Sequence, residues 1–416
     1  MPDTELENLH YITIATRGFL GRVAVLADSL RQHHPGSRLT CYLVENTVEP
    51  GDDRHAEVIP IRDLDIPGVD HFCFQYTPFQ LCCALKPYCL LHALRHHAAP
   101  VLYLDADMLV THPFLDVLRQ AWRQDVLVTP HLRTPSVATD FRYFLRAGQY
   151  NAGFLGVRDT PGAYALLTWW RDRLAHDCYR DYLGGILDDQ TWLDMAVALF
   201  EGIDKLHHTG INTAHWNLHE CRFHRQGDTL MANPGEPLCL FHFSSFAHPG
   251  LTRHERLPGS IPPEIDALAD RYRQLTEAAE PAFAAAAAAP HAFERFTDGT
   301  PITPVMREAV RLRMIPADIN PFERPDLVQS ALPADDPNSI LNGRVDYQFA
   351  TLKDRCETQS RQLVDLAQTK QRLWKAENRL QRLSQHPVFG PLLRLWSRHL
   401  NSALTAESPD APPNLP

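Results

Sequence analysis

101-VLYLDADMLV-110 is an apolar run, Val101 to Leu104, that delivers Asp105 and Asp107 at its carboxyl end. Open α/β sheets bind their ligands at the carboxyl ends of strands. Carboxylates spaced i, i+2 at such an end can both turn toward one divalent cation. Hard oxygen ligands suit Mn2+ or Mg2+, and either ion grips a diphosphate. Taken alone, D-x-D also fits a turn, because aspartates at strand ends are common turn formers.

Working outward, the chain opens with a buried strand over 10–15 and a helix over 20–32 whose Leu20, Val23, Leu26, Ala27 and Leu30 share one face. A strand over 39–44 follows. Helical patterns over 84–96 and 114–124 bracket the strand at 101–104, and another strand is expected at 126–129. Strand and helix in alternation imply an α/β sheet with helical crossovers, a nucleotide-binding layout. No G-x-x-x-x-G-K-S/T loop and no G-x-G-x-x-G fingerprint occurs, which argues against an ATPase or a dehydrogenase.

The pattern changes after Leu251. A linker, 258-PGSIPPEI-265, leads into a helix over 263–280 and the run 281-PAFAAAAAAP-290, a helix or spacer too short to cross a bilayer. Residues 291–345 are proline-rich and are expected to pack on the sheet domain. Phe349, Leu352, Cys356, Leu363, Leu366, Leu373 and Leu380 then form a heptad seam interrupted by Gln359, Lys370 and Glu377, which suggests a coiled coil and a homo-oligomer. The expected organisation is a sheet domain over 8–255, a helical and irregular appendage over 256–345, a coiled coil over 346–385 and a partly disordered tail over 386–416.

A formal net charge of −10 over 416 residues offers no electrostatic footprint for nucleic acid, and no polybasic stretch recommends an anionic membrane. Nine cysteines without a C-x-x-C pair suggest neither a disulfide framework nor a thiolate zinc site. The start of the chain lacks a charged-then-apolar signal pattern, and no transmembrane segment is expected. A cytoplasmic protein follows, or one peripheral to the inner face of the membrane.

The segments 84-ALKPYCLLHALRHHAAPVLYLDADMLV-110, 150-YNAGFLGV-157, 188-DDQTWLD-194 and 242-HFSSF-246 resemble, in order and spacing, glycosyltransferases of the GT-A type. The resemblance is strongest to the retaining family that includes bacterial lipopolysaccharide galactosyltransferases and glycogenin, and it covers about residues 10–255. It implies a GT-A fold, a Rossmann-like nucleotide-diphospho-sugar transferase sheet. It further implies a metal held by Asp105, Asp107 and His242, with Ala106 against the donor ribose. Asn151 and Gly153 would face the transferred sugar. Asp189 and Gln190 would lie at its reacting face, the Gln190 amide below the anomeric carbon. Lys86 would sit near the donor phosphates, and Ala15, Thr16 and Arg17 would contact the nucleotide. The sequence departs from the pattern twice. Thr16 and Arg17 stand where the related galactosyltransferases carry an acidic residue that helps read uracil, and 247-AHPGLTRH-254 offers His248 and Arg253 in place of a diphosphate-binding lysine.

Each residue also has a plainer reading. His242 fits a hydrogen-bonded core histidine, Asn151 and Gly153 a tight turn, Asp188 and Asp189 a helix N-cap, and Lys86 a solvated cation. The adjacent pairs His33-His34, His96-His97 and His207-His208 are expected at the surface, since neighbouring side chains point apart. Trp169, Trp170 and Trp216 read as core or pocket-wall aromatics, and Trp216-Asn217 as a candidate acceptor-side wall.

The expected activity is metal-dependent transfer from a nucleotide sugar, a UDP-sugar, to a glycan, lipid-linked or protein acceptor, with retention, in surface polysaccharide or glycan biosynthesis. The rivals are an inverting transferase using Asp140, Asp159 or Asp189 as base, and a non-catalytic scaffold oligomerising through the coiled coil. A nucleotidyltransferase or sugar-nucleotide hydrolase would need a triphosphate cradle or an activated water that the sequence does not display.

Overall fold

Strands buried along their whole length must be covered on both faces, which is the condition of a parallel sheet between helices. In the computed structural model, which describes residues 3–135, 144–145, 147–181, 185–244, 261–341 and 369–370, that condition is met by β1 (His10–Ala15), β2 (Leu39–Leu43) and β4 (Val101–Leu104), buried throughout. With β3 (Glu57–Pro60), β6 (Val126–Pro130), β7 (Tyr150–Val157) and β8 (Ile203–Lys205) they form a seven-stranded sheet in the order β8-β6-β7-β4-β1-β2-β3. β7 runs antiparallel to both of its neighbours. β1 is flanked by β2 on one side and β4 on the other, both parallel to it, so strand order reverses between β1 and β4. A crevice opens at the carboxyl end of such a switch point.

Alternate strand residues feed two cores. Ile12, Ile14, Tyr42, Tyr103 and Leu155 face Leu90, Leu94, Leu166 and Trp170, whereas Tyr11, Leu43, Leu102, Leu104 and Phe154 face Leu26, Leu30 and Phe114. The first layer is carried by helices Lys86–His97 and Pro161–Leu174, the second by α1 (Leu20–His33). The helix expected over 84–96 spans Lys86–His97, its first turn set by Pro87, which lacks the N–H of a helix interior, and a separate helix, Pro78–Ala84, precedes it. The helix expected over 114–124 spans Leu115–Ala121 and ends where Trp122 turns extended and inserts its indole into the core.

Residues 261–341 share these cores. Tyr272 of the helix Pro263–Ala279 stacks on Phe243 at 3.9 Å, and Phe296 and Phe322 pack on Phe74. Arg307 is buried and donates from Nη1 to the Phe74 carbonyl at 2.9 Å and from Nη2 to the Phe293 carbonyl at 2.8 Å. The alanine run contributes one short helix, Ala284–Ala287. The chain divides into two units, Met1–Asp346 and Tyr347–Pro416. Of the second only Thr369 and Lys370 are described, both helical and exposed, so the heptad seam and the tail lie outside the described residues. Among the described residues no helix is long and apolar enough to cross a membrane.

Two of the adjacent histidine pairs are not simple surface pairs. His34 is buried, its Nε2 accepting from the Phe114 N–H at 3.4 Å and its ring lying 4.3 Å from the Phe114 ring. His10, also buried, stacks on His97 at 3.5 Å. Burial, helped by His33 beside His34 and by His97 beside His10, pushes both imidazoles down to about 4. Between pH ~6.5 and ~4 the unfolded chain therefore binds protons that the folded one refuses, and stability falls as pH falls through that window. Replacing His34 by Gln keeps an acceptor for Phe114 and removes one such group. Its melting temperature should drop less than wild type between pH 7 and 5, and parallel curves would refute the assignment.

Candidate active site

Three backbone pairings bring the site together. Beyond Leu104 the chain passes Asp105, Ala106 and Asp107 and enters β5 (Met108–Val110), which pairs antiparallel with β9 (Leu240–His242), Met108 opposite His242. The Phe243 N–H donates to the Asp107 carbonyl at 2.8 Å, and the Asp105 N–H to the Gly153 carbonyl at 2.9 Å. The D-A-D turn is thus clamped between β7 and β9.

His242 Nε2 lies 3.1 Å from Asp107 Oδ1 and 3.6 Å from Asp105 Oδ2. Among the described residues this is the one group of three ligand-type side chains whose atoms all fall within 4.8 Å of one another. Gly153 floors the group: a Cβ there would stand 2.5 Å from Asp105 Oδ2 and 2.8 Å from both Asn151 Oδ1 and His242 Cε1. Carboxylate oxygens plus one imidazole, with a glycine clearing the space beneath them, fit a divalent cation of the Mn2+ class. Burial opposes charge on His242, but Asp107, by its charge and hydrogen bond, and Asp105 hold the imidazole above its ordinary value. Burial likewise pushes the Asp107 carboxyl up, and His242, with Arg22 further off, brings it below the usual range.

Lys86, buried at the start of its helix, is 2.8 Å from Asp189 Oδ2 and 3.7 Å from Asp105 Oδ1. Burial favours the neutral amine, yet Asp105 and Asp189 outweigh it and raise the ammonium above its usual value. Asp189 precedes the helix Gln190–Leu199 without capping it, its carboxylate being committed to Lys86. Asp188 adopts φ +46° and pairs with Arg180 at 2.7 Å. The Tyr103 hydroxyl donates to Asp105 Oδ1 at 2.5 Å.

Asn151 and Gln190 form part of the wall. Gln190 Oε1 accepts from Asn151 Nδ2 at 3.0 Å and its Nε2 donates to the Ala147 carbonyl at 2.8 Å, so both ends of this amide are engaged by the protein. Trp216 stands edge-on to His242 with ring centroids 5.2 Å apart, whereas Asn217 is fully buried and braces its own loop through Ala214, Asn212 and His131.

No family model matches the chain. It is similar to two proteins of Bacillus subtilis (strain 168), the uncharacterized YfnD and YfnF. Each is 22% identical, over 58% of this chain and 79% of YfnD and over 57% of this chain and 81% of YfnF. Among solved structures it is similar to the galactosyltransferase LgtC in complex with donor and acceptor sugar analogues, at 14% identity and a TM-score of 0.40, covering 65% of this chain and 95% of that one. It is also similar to the glycosyltransferase GlyE of Streptococcus pneumoniae TIGR4, at 13% identity and a TM-score of 0.39, covering 69% of this chain and 67% of that one.

At the end of β1, Ala15 is buried and Thr16 half-buried. Arg17 is held by the loop after β2, its Nε 3.2 Å from Asp52 Oδ2, its Nη2 2.8 Å from the Thr47 carbonyl and its Nη1 4.0 Å from Glu45 Oε2. Acidic groups thus reach this corner from β2 instead of β1. Glu45 and Asp52 were missed in the sequence because their run, 44-VENTVEPGDD-53, reads as a solvated turn. Asn212 and His131, which touch His242 and Asn151 respectively, were missed because nothing in 210-GINTAHWN-217 or 129-TPHLRT-134 marks a side chain that will meet β7. Asp159 follows β7 beside the amino end of β4, on the opposite edge of the sheet from Asp105, and is exposed. Asp140, His248 and Arg253 lie outside the described residues.

Gly153→Ala places a methyl where the Asp105 carboxylate now lies. Mn2+ affinity at pH 7.5 should fall on the order of tenfold or more, and the overpacked strand should melt lower than wild type but still cooperatively. Calorimetric titration reads the affinity, and unaltered binding would contradict the cradle.

Proposed function

We propose that the protein is a metal-dependent glycosyltransferase of the GT-A type that moves a sugar, with retention, from a UDP-sugar to a glycan, lipid-linked or protein acceptor in surface polysaccharide or glycan assembly. The observation that carries the reading is the convergence of Asp105, Asp107 and His242 over Gly153 at the switch point of the sheet, with the Lys86–Asp189 pair alongside.

Asp105, Asp107 and His242 would hold the cation. A bound cation supplies a Lewis acid for the charge that develops on a nucleoside diphosphate leaving group. The protein's own groups divide the remaining work. Lys86 adds a fixed ammonium within reach of the same charge, and it orients Asp189 through their ion pair. Asp189 in turn offers carboxylate oxygens to sugar hydroxyls. Asn151 and Gln190, locked to each other, supply a rigid polar wall for the transferred sugar. The corner formed by Ala15, Thr16 and Arg17, with Glu45 and Asp52 behind it, is the natural seat of the base and ribose.

Two placements favour retention over inversion. An inverting enzyme needs a carboxylate base facing the acceptor; of the three candidates Asp189 is ion-paired to Lys86 and Asp159 sits at the far edge of the sheet, while Asp140 lies outside the described residues.

The test is to incubate the protein with a panel of nucleotide sugars and Mn2+ and to measure nucleoside diphosphate release. Release from one donor class, abolished by chelation and reduced on the order of a hundredfold or more by Lys86→Met, is the expected result. Absence of release from every donor by a folded protein would overturn the reading. The anomeric configuration of the product, read by NMR, decides retention independently.

A further inference from the structure

His242 has a second ring nitrogen, and the protein spends a buried side chain on it. Nδ1 lies 3.1 Å from Oδ1 of Asn212, a residue 1% exposed in a left-handed conformation at φ +52°. Asn is among the few non-glycine residues that enter this region readily. The Asn212 main chain is pinned as well, its carbonyl accepting from Arg133 Nη2 at 3.3 Å and Asn217 Nδ2 at 3.4 Å.

The direction of every hydrogen bond around Asn212 follows from backbone groups, whose polarity is fixed. The Gly153 N–H must donate, so the atom it meets at 3.0 Å is the Asn151 oxygen. That leaves Asn151 Nδ2 as the donor toward Gln190 Oε1 at 3.0 Å and His131 Nε2 at 3.3 Å. Both assignments close on carbonyls: Gln190 Nε2 donates to Ala147 and His131 Nδ1 to Gly148, each at 2.8 Å. Asn151 Oδ1 also faces Asn212 at 3.0 Å, so the facing atom is the Asn212 amide nitrogen, which donates to Thr129 Oγ1 at 2.7 Å too. The Asn212 oxygen is therefore the end turned to His242. It can only accept, and Nδ1 must carry a proton.

We infer, on the reading of the site as that of a metal-dependent transferase, that Asn212 is a positioning residue that holds His242 as the Nδ1–H tautomer, leaving the Nε2 lone pair for the cation, with the polarity relayed from the Gly153 N–H through Asn151. The relay works against a neighbour. Asp107 Oδ1, 3.1 Å from Nε2, favours a proton on that same nitrogen, and an Nε2–H cannot ligate a metal. Donation of the distal ring nitrogen to a fixed acceptor sets tautomer, orientation and basicity of ligating histidines. The same relay ends on Gln190, so one chain of amides spans from the metal ligand to the wall of the sugar site.

The test uses Mn2+ alone, titrated calorimetrically into the full-length protein at pH 7.5, with melting curves in parallel. Asn212→Gly keeps the left-handed backbone at no steric cost and deletes the acceptor. Affinity should weaken by roughly ten- to a hundredfold while the protein still melts cooperatively. Asn212→Asp restores an acceptor for Nδ1–H but sets an oxygen against Asn151 Oδ1, so it should bind Mn2+ less tightly than wild type and clearly more tightly than Asn212→Gly, a partial rescue that a loss of packing would not show. Wild-type affinity in Asn212→Gly, or equal loss in both variants, would overturn the role of Asn212 while leaving the metal site standing. Absence of Mn2+ uptake by the wild-type protein would overturn the metal site itself.

Discussion

Two carboxylates brought within 4.8 Å of each other repel by on the order of 3–4 kcal/mol at an effective dielectric of about 20. The architecture around the D-A-D turn answers that repulsion. Lys86 approaches Asp105 from one side and His242 reaches Asp107 from the other, each with its affinity for a proton raised by the carboxylates it faces. The main chain of both aspartates is set by backbone hydrogen bonds, Asp105 to β7 and Asp107 to the residue after β9. A site built this way holds its negative charge in wait for a cation.

Local rules are broken where the site needs it, a pattern expected of functional residues. A lysine in the first turn of a helix opposes the helix dipole, yet Lys86 stands there, buried, because Asp105 and Asp189 more than offset the dipole. Among the described residues four non-glycines have positive φ, and two of them, Asp188 and Asn212, flank the site.

The sheet was legible because its strands are short, mostly apolar and separated by helical periods. D-A-D, which alone also fits a turn, was legible because the segments after it follow in the order and spacing of the resemblance. Of the residues the resemblance named, Asp105, Asn151 and His242 lie against Gly153, Asp107 is beside His242, Lys86 pairs with Asp105 and Asp189, and Gln190 bonds Asn151. Illegible were the contacts made by loops across large sequence separations. Asn212 meets His242 only because Thr213 bridges Phe241 of β9, and Arg17 meets Asp52 only because β1 and β2 are neighbours. Boundaries failed where one side chain overrode a period, at Pro87 and Trp122. The surface reading of His34 failed because a polar ring with one satisfied nitrogen packs on Phe114 as well as an apolar one.

Arg307 and the phenylalanines near it have a bearing on how the polypeptide is made. Arg307 fastens to the carbonyl of Phe74, 233 positions earlier, and Phe322 and Phe296 complete the aromatic packing around Phe74. A ribosome extends the chain at about 5–20 residues per second, so the first part of the sheet waits, with this aromatic surface uncovered, for on the order of ten seconds or more after it emerges. Contacts of such high sequence separation also slow folding once the chain is released. A chain that ended between Phe74 and Phe296 would leave the Phe74 aromatic surface without the cover that Phe296, Arg307 and Phe322 supply.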